Sequence, residues 1–146
     1  MSPRSNQREQ LGPTRRRWRF YRTAAGREPV REFLDDRRVS DEDAARIVAA
    51  MQEVRREGRA HPDVNHLKGD IWQIEIDGRG VIYRVLYAEE GRSGQVLLAL
   101  AAINKKWQKA KPADIALADE RLADWRERGL LGTRSTSPER GPGKAP

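Results

Sequence analysis

An almost unbroken apolar run, Val-Leu-Leu-Ala-Leu-Ala-Ala-Ile from Val96 to Ile103, empties directly into Asn-Lys-Lys-Trp-Gln-Lys-Ala-Lys and then Pro112. A run of this length suits a buried strand and falls well short of the roughly 20 residues that a membrane-spanning helix requires. It therefore predicts a core strand whose end delivers Lys105, Lys106, Lys109 and Lys111 with no acidic residue among them. Their uncancelled field attracts phosphate or an acidic protein segment; a solvated strand end before a helix N-terminus is the plainer alternative.

The chain of 146 residues carries a formal net charge of +7, which reads as a nucleic-acid signature until it is partitioned by position. Residues 1–16 and 133–146 hold +5 of it, leaving only +2 for 17–132. Both end segments are rich in Pro, Gly, Ser and Arg and poor in large apolar side chains, so they are expected to be disordered tails around one domain at 17–132. Any specific basic site must then be local to the middle segment, and 105–111 is the strongest candidate. Cysteine is absent, which rules out a disulfide framework and thiolate chemistry and fits a reducing cytoplasm. The Arg-rich N-terminus lacks the apolar stretch of a secretory signal, so a cytoplasmic protein with no membrane segment is expected.

Periodicity gives the organisation. Trp18–Arg22 predicts a first strand, and Pro29 in a first turn with Val30, Phe33 and Leu34 at helical spacing predicts a short helix. Ser40 before three acids is a helix N-cap; Ala44, Ile47, Val48, Met51 and Val54 carry the apolar stripe to Gly58. A loop is expected over 59–69. Trp72, Ile74 and Ile76 then alternate with Gln73, Glu75 and Asp77, and strands 81–89 and 96–104 follow across Gly-containing turns. Pro112 opens a last helix ending near Gly129. The predicted order is βααβββα, a small single α+β domain with an antiparallel sheet and its helices packed on one face.

On the other face, Arg84 stands out. It lies within Val-Ile-Tyr-Arg-Val-Leu-Tyr and shares a strand face with Ile82 and Leu86. A guanidinium cannot shed its charge, so it needs an anionic ligand, water or a cleft there, or an internal ion pair with Glu75 or Asp77 across the hairpin. His61 and His66, with Asp63 between them, lack a metal-ligand spacing, and no metal or other cofactor is expected. His66 reads either as a proton shuttle or as a surface loop histidine.

Gly26-Arg-Glu-Pro-Val-Arg-Glu-Phe-Leu, His66-Leu-Lys-Gly, Ile-Trp-Gln-Ile-Glu-Ile, Tyr83-Arg-Val-Leu-Tyr and the apolar strand into Lys105-Lys106 occur in one order over about residues 18–125. Together they resemble the RelE/ParE superfamily of type II toxins, in its phage-derived HigB-like branch. The resemblance implies a RelE-like microbial RNase fold and an endoribonuclease that cuts messenger RNA on the ribosome and arrests growth. It also implies a co-encoded antitoxin, expected to be a helix-turn-helix protein. Cleavage by the 2′-hydroxyl needs a proton acceptor, positive charge on the phosphate and a donor for the leaving oxygen, and no metal. Arg84 suits the phosphate, with Lys105, Lys106 and Lys68 as further catalytic cations. Lys109 and Lys111 suit the RNA backbone and Trp107 suits a base; Glu75, His66 and Tyr87 are the candidate proton carriers. The chain departs from its relatives at Ile-Trp-Gln-Ile-Glu, where Leu-Trp-Glu-Leu-Arg is common, so that Glu75 reverses a charge beside Arg84. Two alternatives follow: a ParE-like toxin that binds DNA gyrase, and a degenerate domain that only binds its antitoxin.

Overall fold

The computed structural model of the chain describes residues 15–105 and 110–135, with backbone alone for Lys105 and 130–135. Strand β1 (Arg17–Phe20) leads into helix α1 (Pro29–Asp35) and helix α2 (Asp41–Glu57). Strands β2 (Val64–Lys68), β3 (Ile71–Asp77), β4 (Ile82–Glu90) and β5 (Val96–Lys105) follow, and helix α3 (Pro112–Ser135) closes the described part. The expected tails lie mostly outside the described residues.

Helix α2 forms where the cap and stripe placed it. The Ser40 hydroxyl accepts the Asp43 N–H at 3.0 Å, and Ile47, Met51 and Val54 are buried along one side. At the other end Gly58 takes a positive φ of 65° and returns its N–H to the Val54 carbonyl. Arg16 completes this terminus, donating from Nε to the Arg55 carbonyl and from Nη2 to that of Arg56, both at 2.9 Å. Trp18 adds an indole N–H to the Met51 carbonyl at 2.7 Å, so the segment around β1 binds α2 through side chains.

The strands lie in the order β1-β5-β4-β3-β2. All neighbours are antiparallel except β1 and β5, which run parallel with Arg19 opposite Leu98. The sheet is thus mixed rather than antiparallel throughout, because the chain passes through two helices and the meander before returning beside β1. Strand β2 occupies part of the expected loop. Its Val64 and Leu67 are three residues apart and a register shift falls between His66 and Lys68, so this polar edge strand carries no clean period of two.

The helices do not share one face. Val30, Ile47, Met51 and Val54 of α1 and α2 pack with Ile74, Tyr83, Val85, Tyr87 and Leu97 on one side. Ala118 and Leu122 of α3 pack with Ile71, Leu86, Ala88, Leu98 and Leu100 on the other. Strand β4 is buried at every position from Tyr83 to Ala88, and a strand apolar on both sides must be covered on both. Helix α3 also runs through Gly129 to Ser135, since a helical glycine costs only about 1 kcal/mol relative to alanine.

Helix α3 is clamped to the end of β1. Asp124 accepts from the Arg128 guanidinium and from the Tyr21 hydroxyl (2.6 Å), while Arg128 also donates to the Arg22 carbonyl at 2.6 Å. The Arg128 bond, helped by Tyr21, holds the Asp124 carboxyl down at about 2 from an ordinary 3.8. The folded state therefore binds this proton more weakly than the unfolded chain does. The stabilisation is complete above pH ~4 and is lost as pH falls towards ~2. Asp36, held down to about 2 chiefly by Arg38, titrates in the same window. In melts followed by circular dichroism, Asp124→Asn should therefore flatten part of the acid decline in Tm between pH 4 and 2. An unchanged decline would show that the clamp contributes nothing.

Candidate functional site

Arg84 sits in the middle of β4, opposite Glu75 on β3 and Ile103 on β5. Of the two hairpin carboxylates considered as partners, it takes Glu75: Nη2 donates to Oε2 at 3.0 Å. The guanidinium is only 3% exposed, whereas the Glu75 side chain is 41% exposed, so the carboxylate is the solvent-facing half of the pair. Nε and Nη1 of Arg84 are buried and have no hydrogen-bond partner. The same holds for Oε1 of Gln73, two residues from Glu75 on the same side of β3. Sequence alternation placed Gln73 on a solvated face, yet it is 6% exposed.

These groups form a short polar strip, flanked along the strands by Ile71, Ile82 and Leu86. Buried polar atoms are nearly always bonded, so three open atoms within one strip mark it out. The charge of Arg84 is matched by one carboxylate, and its unbonded Nε and Nη1 lie beneath the surface, so a tetrahedral anion reaches them only when the more exposed Glu75 side chain swings aside. Glu75, beside them and reachable from solvent, is placed to accept a proton.

The other predicted residues divide. Lys105 ends β5 with its backbone opposite Ile82, one pair beyond Tyr83–Asn104 and next in line from Arg84–Ile103. Its side chain, and the whole of Lys106, Trp107 and Lys109, lie outside the described residues. Lys111 is exposed; its backbone N–H donates to Asp114 Oδ2 at 3.1 Å and starts α3. Lys68 does not join Arg84. It pairs in register with Ile71, four residues before Glu75, which is roughly 13 Å along β3. Its Nζ lies 3.6 Å from Asp119 of α3, and with Pro112, Ile115, Ala116 and Glu120 these two residues line a cavity of about 470 Å³. No local pattern pointed to Asp119, because only the seating of α3 brings it to Lys68.

Two of the candidate proton carriers lie away from Arg84. Tyr87 is fully buried on the opposite side of the sheet, edge-on to Trp18 with ring centres 5.2 Å apart. Burial pushes its phenol well above the ordinary range, so it neither reaches Arg84 nor exchanges protons near neutral pH. His66 pairs in register with Trp72, stacks on it at 4.6 Å and bonds the Gly69 carbonyl through Nε2 at 2.7 Å. Trp72 packs with the α1/α2 core, so His66 also faces away from Arg84. Among the described residues no three His, Cys, Asp or Glu side chains gather as a metal site, and no helix is long and apolar enough to cross a membrane.

The family model described as phage derived protein Gp49-like (DUF891) matches residues 35–123, from the end of α1 to the middle of α3 and including every element that forms the polar strip. No curated protein matches the chain.

Proposed function

The chain belongs to the phage-derived Gp49-like family, and from this we propose that it is the toxin of a type II toxin–antitoxin pair that cuts messenger RNA. The observation that carries the chemistry is Arg84, buried, bonded once to Glu75 and with Nε and Nη1 unbonded. With Glu75 swung outward to uncover them, those donors hold two non-bridging oxygens of the scissile phosphate. Glu75 takes the proton of the 2′-hydroxyl, whose oxygen attacks phosphorus; the bond to the 5′ oxygen breaks and leaves a 2′,3′-cyclic phosphate. Lys105 or Lys106 supplies the proton to the departing oxygen, and Lys109, Lys111 and Trp107 hold the neighbouring nucleotides. Lys68 acts at a distance, on the backbone. The site would meet its RNA on the cytoplasmic ribosome, and a helix-turn-helix antitoxin would silence it.

One observation favours a second reading. The Glu75–Arg84 ion pair already matches the charge of Arg84, as in a domain that has lost cleavage and keeps only antitoxin binding. Expression in growing cells decides between them. Induction should arrest growth, primer extension on translated transcripts should show cuts within codons, and Arg84→Ala should abolish both while antitoxin binding survives. Absence of arrest supports the non-catalytic domain; arrest without cuts but with altered supercoiling supports gyrase binding.

A further inference from the structure

Most exposed arginines of this chain have a carboxylate within ion-pair distance, as Arg27 has Glu32 and Arg38 has Asp36. Among the described residues Arg15, Arg37, Arg56 and Arg92 do not, and on the edge strand β1 two such arginines stand together on one side of the strand. Arg17 and Arg19 are exposed and, among the described residues, neither has such a partner. Arg19 lies over the half-buried Trp125 of α3, 5.5 Å from the ring centre. Arg121, one helical turn earlier, lies 5.6 Å over Tyr21 and donates from Nη1 to the Leu100 carbonyl at 2.8 Å, where β5 carries the register shift between the Leu86–Ala101 and Tyr87–Ala99 pairs. It too lacks a carboxylate partner, and burial pulls its pKa down. On the other side of the same strand Arg16 spends its guanidinium on the Arg55 and Arg56 carbonyls.

We propose that the β1 edge, through Arg17, Arg19 and Arg121 with Trp125, is a docking surface for the phosphate backbone of single-stranded RNA. It is separate from the Arg84 strip: Arg19 pairs through Leu98 and Arg84 through Ile103, roughly 16 Å apart along β5. Arginine forks grip phosphate oxygens bidentately, and guanidinium planes on aromatic rings offer stacking surfaces to unpaired bases. An acidic protein segment would use the charge but has no use for the rings. The surface rests on the chain's acting on RNA and would hold the strand on either side of the cut.

The test uses the full chain and a fluorescent 2′-O-methyl RNA 12-mer, which binds but cannot be cut by its own 2′-oxygen. Anisotropy is followed over a salt series. Arg17→Gln/Arg19→Gln should weaken binding about tenfold and make the slope of log K against log salt shallower by about 1.4, two contacts at about 0.7 each. Arg17→Lys/Arg19→Lys should restore the slope. Arg27→Gln/Arg38→Gln removes the same charge from paired positions and should leave the slope nearly unchanged. Equal losses from both Gln pairs would reduce the effect to net charge and overturn the proposal, as would an unchanged slope in Arg17→Gln/Arg19→Gln with a normal melt, or loss of polyglutamate binding with RNA binding intact. A wild-type chain that binds the 12-mer at this edge yet cuts no transcript sinks the nuclease reading alone.

Discussion

Glu75→Ala should destabilise the fold by about 3–5 kcal/mol in urea unfolding, far more than Arg84→Met, although it removes the more exposed member of the pair. Deleting the carboxylate leaves an arginine side chain that is 3% exposed, with its one bond gone and Nε and Nη1 already unbonded. That is an uncompensated buried charge, which cannot lose its proton to escape. Deleting the guanidinium instead leaves Glu75, whose side chain is 41% exposed and hydrates where it stands. Methionine fills much of the vacated space, so Arg84→Met should cost no more than about 1 kcal/mol. Glu75→Gln keeps an acceptor but no charge and should fall between the two. Equal costs for Glu75→Ala and Arg84→Met would mean that Arg84 is not held in by Glu75 at all. The asymmetry also serves the functional test, because an Arg84 variant that folds normally and fails to arrest growth has lost chemistry and not structure.

The strand elements were legible where their apolar pattern was continuous or strictly alternating. The β3–β4–β5 meander and the Ser40 cap of α2 appear where the residues predicted them. Strand β2 was not legible, because an edge strand of Val-Asn-His-Leu-Lys is solvated on most sides and needs no apolar period. The seating of α3 follows from β5: eight consecutive apolar residues leave both sides of the strand to be covered, and helices on one face cannot do it. Arg84 was visible as a charge among apolar neighbours, and Glu75 as one of its two candidate partners. What separated Tyr87 and His66 from it was the parity of register. Tyr87 is an odd number of residues from Arg84, and His66 pairs with Trp72 rather than with a residue of the Glu75 face. The unpaired arginines of β1 were hidden for a different reason, since their lack of carboxylate neighbours is a property of long-range packing and not of local charge.

The placement of α3 carries consequences for the lysine segment that follows the apolar run. Strand β5 ends at Lys105 and α3 begins at Pro112, so the position of Lys111 depends on α3 being held on the sheet. Ala118 is fully buried in that contact, among Ile71, Leu86, Leu98 and Leu122. Ala118→Glu would bury a carboxylate against apolar side chains with no room and no donor, and should cost upwards of about 4 kcal/mol or strip α3 from the sheet. Ala123→Glu, at an exposed position of the same helix, should stay within about 0.5 kcal/mol of wild type. Were α3 not packed on the sheet, both substitutions would be surface changes of equal and small effect, and paired melts test that contact directly. Because Lys111 stands at the start of α3, Ala118→Glu should also relieve growth arrest in cells, whereas Ala123→Glu should not. Arrest that survives the loss of α3 packing would place the chemistry on the sheet alone, with Arg84 and Glu75 sufficient for it.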